Sequence, residues 1–291
     1  MTNPDSASVN LTKQALAAWN ERYIDVDGVH TRYVLEGSGP PVLLIHGFGE
    51  FLEVWHYNIA PLSEHFSVYA MDLPGHGLSG ELSSNYTLDF SSEFIVHFMQ
   101  AMGIKHASLV GHSLGGLVCL SVAINFPSKV DKLILVDSAG LNREAPLIYR
   151  LATLPVFGTI IIKPTLRTVV RAGMKKGFYD PNIITRDWID LSYRYLRQPK
   201  LKHAILNLVR NNASIDGLHP ELLVTDKLHL VTASTMLIHG EQDQVIPVEY
   251  ARLACKLIPN VTCRIFEKCG HCPHIEKAGK FNEALIGFLN S

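Results

Sequence analysis

The chain has 291 residues, 47% of them hydrophobic, which is enough to bury a sizeable core without a metal or a disulfide framework. Its formal net charge is −1 and no run of Lys and Arg is suited to tracking a phosphate backbone, so nucleic acid is not an expected partner. The most apolar stretch, 151–170, is broken by Pro155, Gly158, Lys163, Pro164 and Arg167, so stable membrane insertion is not expected either.

The first twenty residues hold no apolar segment of signal-peptide length, and the five cysteines are an odd number. Both points lead to the expectation of reduced thiols in a cytosolic protein. Residues 22–26 and 29–36 read as two strands around the turn Asp27-Gly28. Residues 41–46 (PVLLIH) form a continuous apolar run, as a strand buried on both faces should. The strand at 66–71 runs into a loop at 72–79 that is dense in turn formers, and 88–102 shows helical spacing of Phe90, Phe94, Ile95, Phe98 and Met99. A strand at 107–111 is followed by a helix at 114–125, which must stop before Pro127, and by a strand at 133–137. Alternation of this kind predicts a parallel sheet with helices on both faces.

The rhythm breaks between 139 and 232. Helical patterns there, with a basic helix face at 167–176, are punctuated by Pro, Gly and Asn, and no buried strand is evident. Strand 235–239, helix 248–257, strand 261–266 and helix 280–289 complete the chain. The expected organisation is an α/β core of residues 1–138 and 233–291 with a helical cap, 139–232, inserted after the sixth strand.

Chemistry concentrates at a few points. Gly111-His112-Ser113-Leu114-Gly115 lies between a predicted strand and a predicted helix, the context of a nucleophile elbow. A serine lifted on a strained turn collides with side chains two residues to either side, and glycine removes those collisions. Gly116 lets the helix pack close to the strand. A serine hydroxyl needs an adjacent base, itself held by an acid. Two later segments fit: 237–243, which ends a strand and carries an acidic residue just beyond it, and Cys269-Gly270-His271 after the last strand.

With these motifs, in this order, the chain resembles the α/β-hydrolase superfamily over nearly its whole length. The matching stretches are 45–49, 72–79, 111–116, 239–243 with 245–247, and Gly270-His271. The resemblance implies an eight-stranded, mostly parallel sheet flanked by helices, with Ser113 as nucleophile, Asp243 as acid and His271 as base, and neither cofactor nor metal. The expected oxyanion donors are the backbone N–H groups of Leu114 and of Phe48. Asp137 and Glu241 compete as acids and His274 as base. His46, His112 and His239 suit structural roles. Cys269, His271, Cys272 and His274 have spacings reminiscent of a redox dithiol or a zinc site, but the flanking fold is wrong for the first and a second ligand cluster is lacking for the second.

Epoxide hydrolases and haloalkane dehalogenases of this superfamily need aspartate where Ser113 stands, although Phe48-Gly49-Glu50 is reminiscent of the epoxide-hydrolase loop. Carbon–carbon hydrolases of ring-cleavage diketones use serine, but usually carry Trp where this chain has Cys272 and often Asn where it has His112. The sequence thus leads to the expectation of a serine carboxylesterase acting on small esters of short to medium acyl chain. A carbon–carbon hydrolase or a lipase is the alternative, and a non-catalytic binding protein the reading least in keeping with an intact triad.

Overall fold

The computed structural model describes residues 19–82, 86–141, 147–154, 156–158 and 166–291. The expectations placed on residues 1–18, and on part of the apolar stretch 151–170, lie outside these. Eight strands form one sheet: β1 (Glu21–Val26), β2 (Val29–Glu36), β3 (Pro41–Ile45), β4 (Ser67–Met71), β5 (Ala107–His112), β6 (Val130–Val136), β7 (Ser234–Gly240) and β8 (Val261–Phe266). Their order is β1-β2-β4-β3-β5-β6-β7-β8. The pairs β1–β2 and β2–β4 are antiparallel and the rest parallel. Asp27 and Gly28 both take positive φ, 50° and 79°, so the first hairpin closes on a two-residue turn that matches strand twist.

The apolar runs are buried on both faces because successive side chains point to opposite sides. On β3, Leu43 and Ile45 join the core on one face, while Val42 and Leu44 join the core on the other. The first core is closed by α1 (Leu88–Ala101), α2 (Leu114–Asn125) and a helix at Val248–Leu257, through Phe94, Phe98, Leu117, Val118 and Ala251. The second is closed by the short helix Ile59–Ser63 and by Ala278–Leu289, through Ile59, Leu62, Phe281 and Leu285.

Between β6 and β7 the described residues are mainly helical: α3 (Leu147–Ala152), α4 (Arg167–Lys176), α5 (Arg186–Leu196) and α6 (Pro199–Asn212). Thr185 caps α5, its side chain accepting the Trp188 N–H, and Pro199 opens α6 where a missing N–H costs nothing. Trp188, Leu191, Tyr195, Leu201 and Ile205 face the second core. Polar ties that anchor the segment include Tyr195 Oη donating to Glu53 Oε1 at 2.9 Å, Lys200 Nζ to the Ser79 carbonyl at 2.6 Å, and Asn212 Nδ2 to the Tyr86 carbonyl at 2.7 Å. The expectation of no strand here needs one correction. Ala213–Ser214 and Gly217–Leu218 pair as a minimal hairpin, too short to leave a periodic signal.

A second correction concerns the thiols. Cys255 and Cys263 form a disulfide between the helix Val248–Leu257 and β8, whereas Cys119, Cys269 and Cys272 are free and buried. The helix runs back alongside the strand that follows it, which brings the two Cα atoms to 6.2 Å. A disulfide persists in oxidising compartments, so it counts against reduced cysteines throughout. Among the described residues, no helix is long and apolar enough to cross a membrane.

Candidate active site

Parallel strands deliver their C-terminal ends to one edge of the sheet, where ligands of such folds bind. His46 follows β3, Ser113 follows β5, Asp137 follows β6, Asp243 follows β7 and His271 follows β8.

Ser113 has φ 52° and ψ −115°, an uncommon backbone for a residue with a side chain. Its N–H donates to the Val136 carbonyl at 2.9 Å, and its own carbonyl accepts from Gly116 and Ala139. A Cβ on Gly111 would stand 2.3 Å from the Gly115 carbonyl oxygen, and one on Gly115 equally close to the Ile45 carbonyl oxygen. Both glycines are thus needed for steric reasons, but the atoms an added Cβ would strike are backbone of the elbow and of the end of β3, not Ser113 itself.

Asp243 is buried, and both of its carboxylate oxygens are hydrogen-bonded. Oδ1 accepts the N–H groups of Val245 and Ile246 at 2.7 and 3.0 Å, and Oδ2 lies 2.7 Å from His271 Nδ1. Burial pushes this carboxyl up, but the charge and hydrogen bond of His271 outweigh it and hold it at about 2. The His271 loop is fixed by its backbone N–H donating to the Gly177 carbonyl at 2.8 Å and by Gly270 N–H donating to Glu276 Oε1 at 2.7 Å.

The two competing acids and the remaining histidines of the motifs lie around this pair. Asp137 lies in the same cluster, its oxygen within 4.8 Å of ligand atoms of Asp243 and His271. Its Oδ1 accepts the Gly240 N–H at 3.0 Å, and burial, reinforced by the Asp243 charge, drives its carboxyl well upward. A neutral Asp137 beside an ionised Asp243 is what two close carboxyls in a dry site require. Glu241 lies at the surface beside Arg252. His239 donates through Nε2 to the Ile246 carbonyl, and His46 donates through Nδ1 to the Gly47 carbonyl while Nε2 accepts the Leu73 N–H. His274 is buried between the Trp55 and His112 rings, at centroid distances of 4.6 and 4.5 Å.

Glu50, which sequence reading noted only for a loop likeness, reaches the centre of the site. Its Oε2 accepts from Gly47 N–H and lies 2.9 Å from His112 Nδ1. Among the described residues, Glu50, His112 and Cys272 form the other cluster with metal-ligand spacing, but both nitrogens of His112 are engaged, leaving no lone pair for an ion. Cys269 and Cys272 are pushed upward by burial, so neither is a ready thiolate.

Two cavities meet at Ser113, Phe48, Tyr149 and Val245. The larger, about 430 Å³, is lined by Glu50, His271 and Cys272 and by apolar side chains of α4, α5 and α6, including Val170, Met174, Trp188 and Ile205. The smaller, about 130 Å³, is walled by Leu88, Leu117, Val118, Leu208 and Ile246. Among the described lining residues of the two cavities there is no Lys or Arg, and Glu50 is the one carboxylate.

A family model described as the alpha/beta hydrolase fold matches residues 40–278. The dihydrolipoyllysine-residue acetyltransferase component of the acetoin cleaving system of Cupriavidus necator is 31% identical over 274 residues, covering 94% of this chain and 69% of the relative. The 2-hydroxy-6-oxo-6-(2'-aminophenyl)hexa-2,4-dienoic acid hydrolase of Metapseudomonas resinovorans is 30% identical over 286 residues, covering 96% of this chain and 94% of the relative. Among solved structures, the meta-cleavage product hydrolase of Pseudomonas fluorescens IP01 superposes with a TM-score of 0.80 at 27% identity, covering 92% of this chain and 97% of that one. The chain belongs to the α/β-hydrolase family.

Proposed function

We propose that the chain is a serine hydrolase that transfers the acyl group of a largely apolar carbonyl compound to water. The observation that carries this reading is the 2.7 Å pair of Asp243 and His271 beside a strained Ser113, with Ser113 and His271 on the wall of one cavity. Asp243 orients His271, which takes the Ser113 proton as Oγ attacks the carbonyl carbon. The tetrahedral oxyanion rests on the amides of Phe48 and Leu114. His271 returns the proton to the departing group, and water then clears the acyl-enzyme by the reverse proton path. The helices between β6 and β7 act as the cap, and the two cavities offer one lobe to each side of the scissile bond.

Two leaving groups fit. The names of the relatives favour a carbon–carbon hydrolase, and more strongly than anything favours a carboxylesterase. The cavity walls favour an uncharged substrate, because a carboxylate buried there meets Glu50 and no cation among the described lining residues. An ester of short to medium acyl chain satisfies the walls. A diketone-type substrate satisfies the relatives, provided that its carboxylate stays outside these lobes.

The test is hydrolysis of p-nitrophenyl esters from acetate to palmitate beside the bleaching of a coloured 2-hydroxy-6-oxo-dienoic acid, with wild type and Ser113→Ala in parallel. Serine-dependent ester turnover with no bleaching supports the ester reading, and the reverse supports carbon–carbon cleavage. Turnover that survives Ser113→Ala, or none on either class, overturns the proposal.

A further inference from the structure

A charged pair lies against the nucleophile, and the acyl-transfer scheme leaves it without a task. Glu50 sits on the turn after β3, where its N–H donates to the Gly47 carbonyl at 3.3 Å. One oxygen, Oε2, accepts two hydrogen bonds: from Gly47 N–H at 2.7 Å and from His112 Nδ1 at 2.9 Å. His112, fully buried, directs Nε2 at the His271 backbone carbonyl, 2.7 Å away. A carboxylate and a carbonyl can only accept, so both ring nitrogens of His112 carry protons. His112 is therefore an imidazolium paired with an ionised Glu50.

The surroundings agree with that assignment. Burial works against charge on His112, but Glu50 outweighs it and raises the ring above its ordinary value. Burial likewise works against charge on Glu50, and the His112 charge and hydrogen bond outweigh it. Other titratable groups facing the pair are His271, with ring centroids 4.8 Å apart, His274, Cys272, the Asp243 carboxylate, and, toward Glu50, His46, His76 and Tyr149. His274 is held neutral, first by burial and then by the His112 charge, and the Cys272 thiol is held protonated.

We infer that Glu50 and His112 are positioning residues, a charged brace that locks the Gly47–Phe48 loop and the His271 loop onto the turn that carries Ser113. The brace joins three segments of distant sequence: Glu50 lies 62 residues before His112, and His271 lies 159 after it. Gly47 precedes the amide proposed as an oxyanion donor, His112 precedes the nucleophile, and His271 is the proposed base, so the inference rests on the serine-hydrolase reading. Displacement of such groups by about 1 Å can cost about 100-fold in rate. No neutral mimic serves. A glutamine amide placed at Oε2 satisfies either Gly47 N–H or an unprotonated His112, never both.

The experiment uses a fluorophosphonate, which reports on Ser113 and its base without knowledge of the substrate. Inactivation is followed for wild type, Glu50→Gln, His112→Gln and the double variant, together with ¹⁵N spectra of the histidine rings at pH 8. Expected is a fall in kinact of about 10- to 100-fold in each single variant with KI within about threefold. The double variant should be about as slow as either single one, since both remove one device. The wild-type spectrum should show one ring with both nitrogens protonated, absent from His112→Gln and from Glu50→Gln. Wild-type kinact in the single variants, multiplicative losses in the double, or no protonated ring in the wild type overturns the brace and leaves the serine reading standing. Failure of the wild type to label at Ser113 removes the serine reading and the brace with it. If Glu50→Gln does not fold, the wild-type spectrum still decides.

Discussion

The elbow is built around one contact whose consequence can be worked out in advance. An alanine Cβ at Gly115 would stand 2.3 Å from the Ile45 carbonyl oxygen and 2.5 Å from that of His46. Both oxygens belong to backbone at the end of β3, which is held between β4 and β5 and cannot yield as a flexible side chain would. Ordinary contact begins at 3.4 Å, so the start of α2 must separate from the end of β3 by roughly 1 Å, a displacement that can cost about 100-fold in rate. That gap opens between Leu114 and Phe48, whose amides are proposed to share the oxyanion, and loss of one such donor costs about 100- to 1,000-fold. Gly115→Ala should therefore lower kcat about 100-fold with KM within about threefold, and overpacking should cost about 1–3 kcal/mol of stability. The assay is steady-state turnover of the best substrate, with denaturant unfolding alongside. Gly279→Ala is the control, because an added Cβ there meets nothing within 4 Å. A folded Gly115→Ala enzyme within about fivefold of wild-type kcat would refute the assignment of this contact to the oxyanion site.

Asp243→Asn should lower kcat about 10,000-fold while leaving Ser113 in place, because the amide favours the wrong His271 tautomer; a rate within tenfold of wild type would instead point to Asp137 as the acid. The Asp243 carboxyl is depressed to about 2 when folded, so the stability it contributes is present at neutral pH and is lost as pH falls from about 4 through about 2. Urea unfolding of wild type and Asp243→Asn across that window should show the two curves converging. Arg32, 2% exposed, bonds Asp72, Glu53 and Glu21. Arg32→Met should cost about 3–5 kcal/mol by leaving two buried carboxylates uncompensated, and a loss below about 1 kcal/mol in the same urea assay would show that they rehydrate freely. Cys255→Ser should cost about 2 kcal/mol under non-reducing conditions and nothing in the presence of a reductant, and full alkylation of Cys255 and Cys263 in unreduced wild type would refute the pairing.

Much of this protein is written in short-range pattern. A strand buried on both faces must be a continuous apolar run, so β3, β5 and β6 were legible, as was a hairpin at Asp27-Gly28 where both turn residues take positive φ. The helix Val248–Leu257 matches its predicted bounds, and Ser113 occupies the strained turn that its flanking glycines announced. These features depend on residues a few positions apart, whose sterics are the same in any chain. What only the tertiary structure decided joins residues far apart. Nothing near Glu50 says that its carboxylate meets His112, nothing near Asp137 says that it and Asp243 cluster together around His271 instead of one replacing the other, and nothing in the spacing of Cys255 and Cys263 says that a helix folds back beside a strand to pair them. The cavity walls, with Glu50 as the one carboxylate among their described residues, are likewise assembled from α1 to α6 and from the loops after β3, β6, β7 and β8. Contacts of this kind exist only once the sheet has brought its strand ends to one edge, because local propensity carries no information about which buried charge will need which partner.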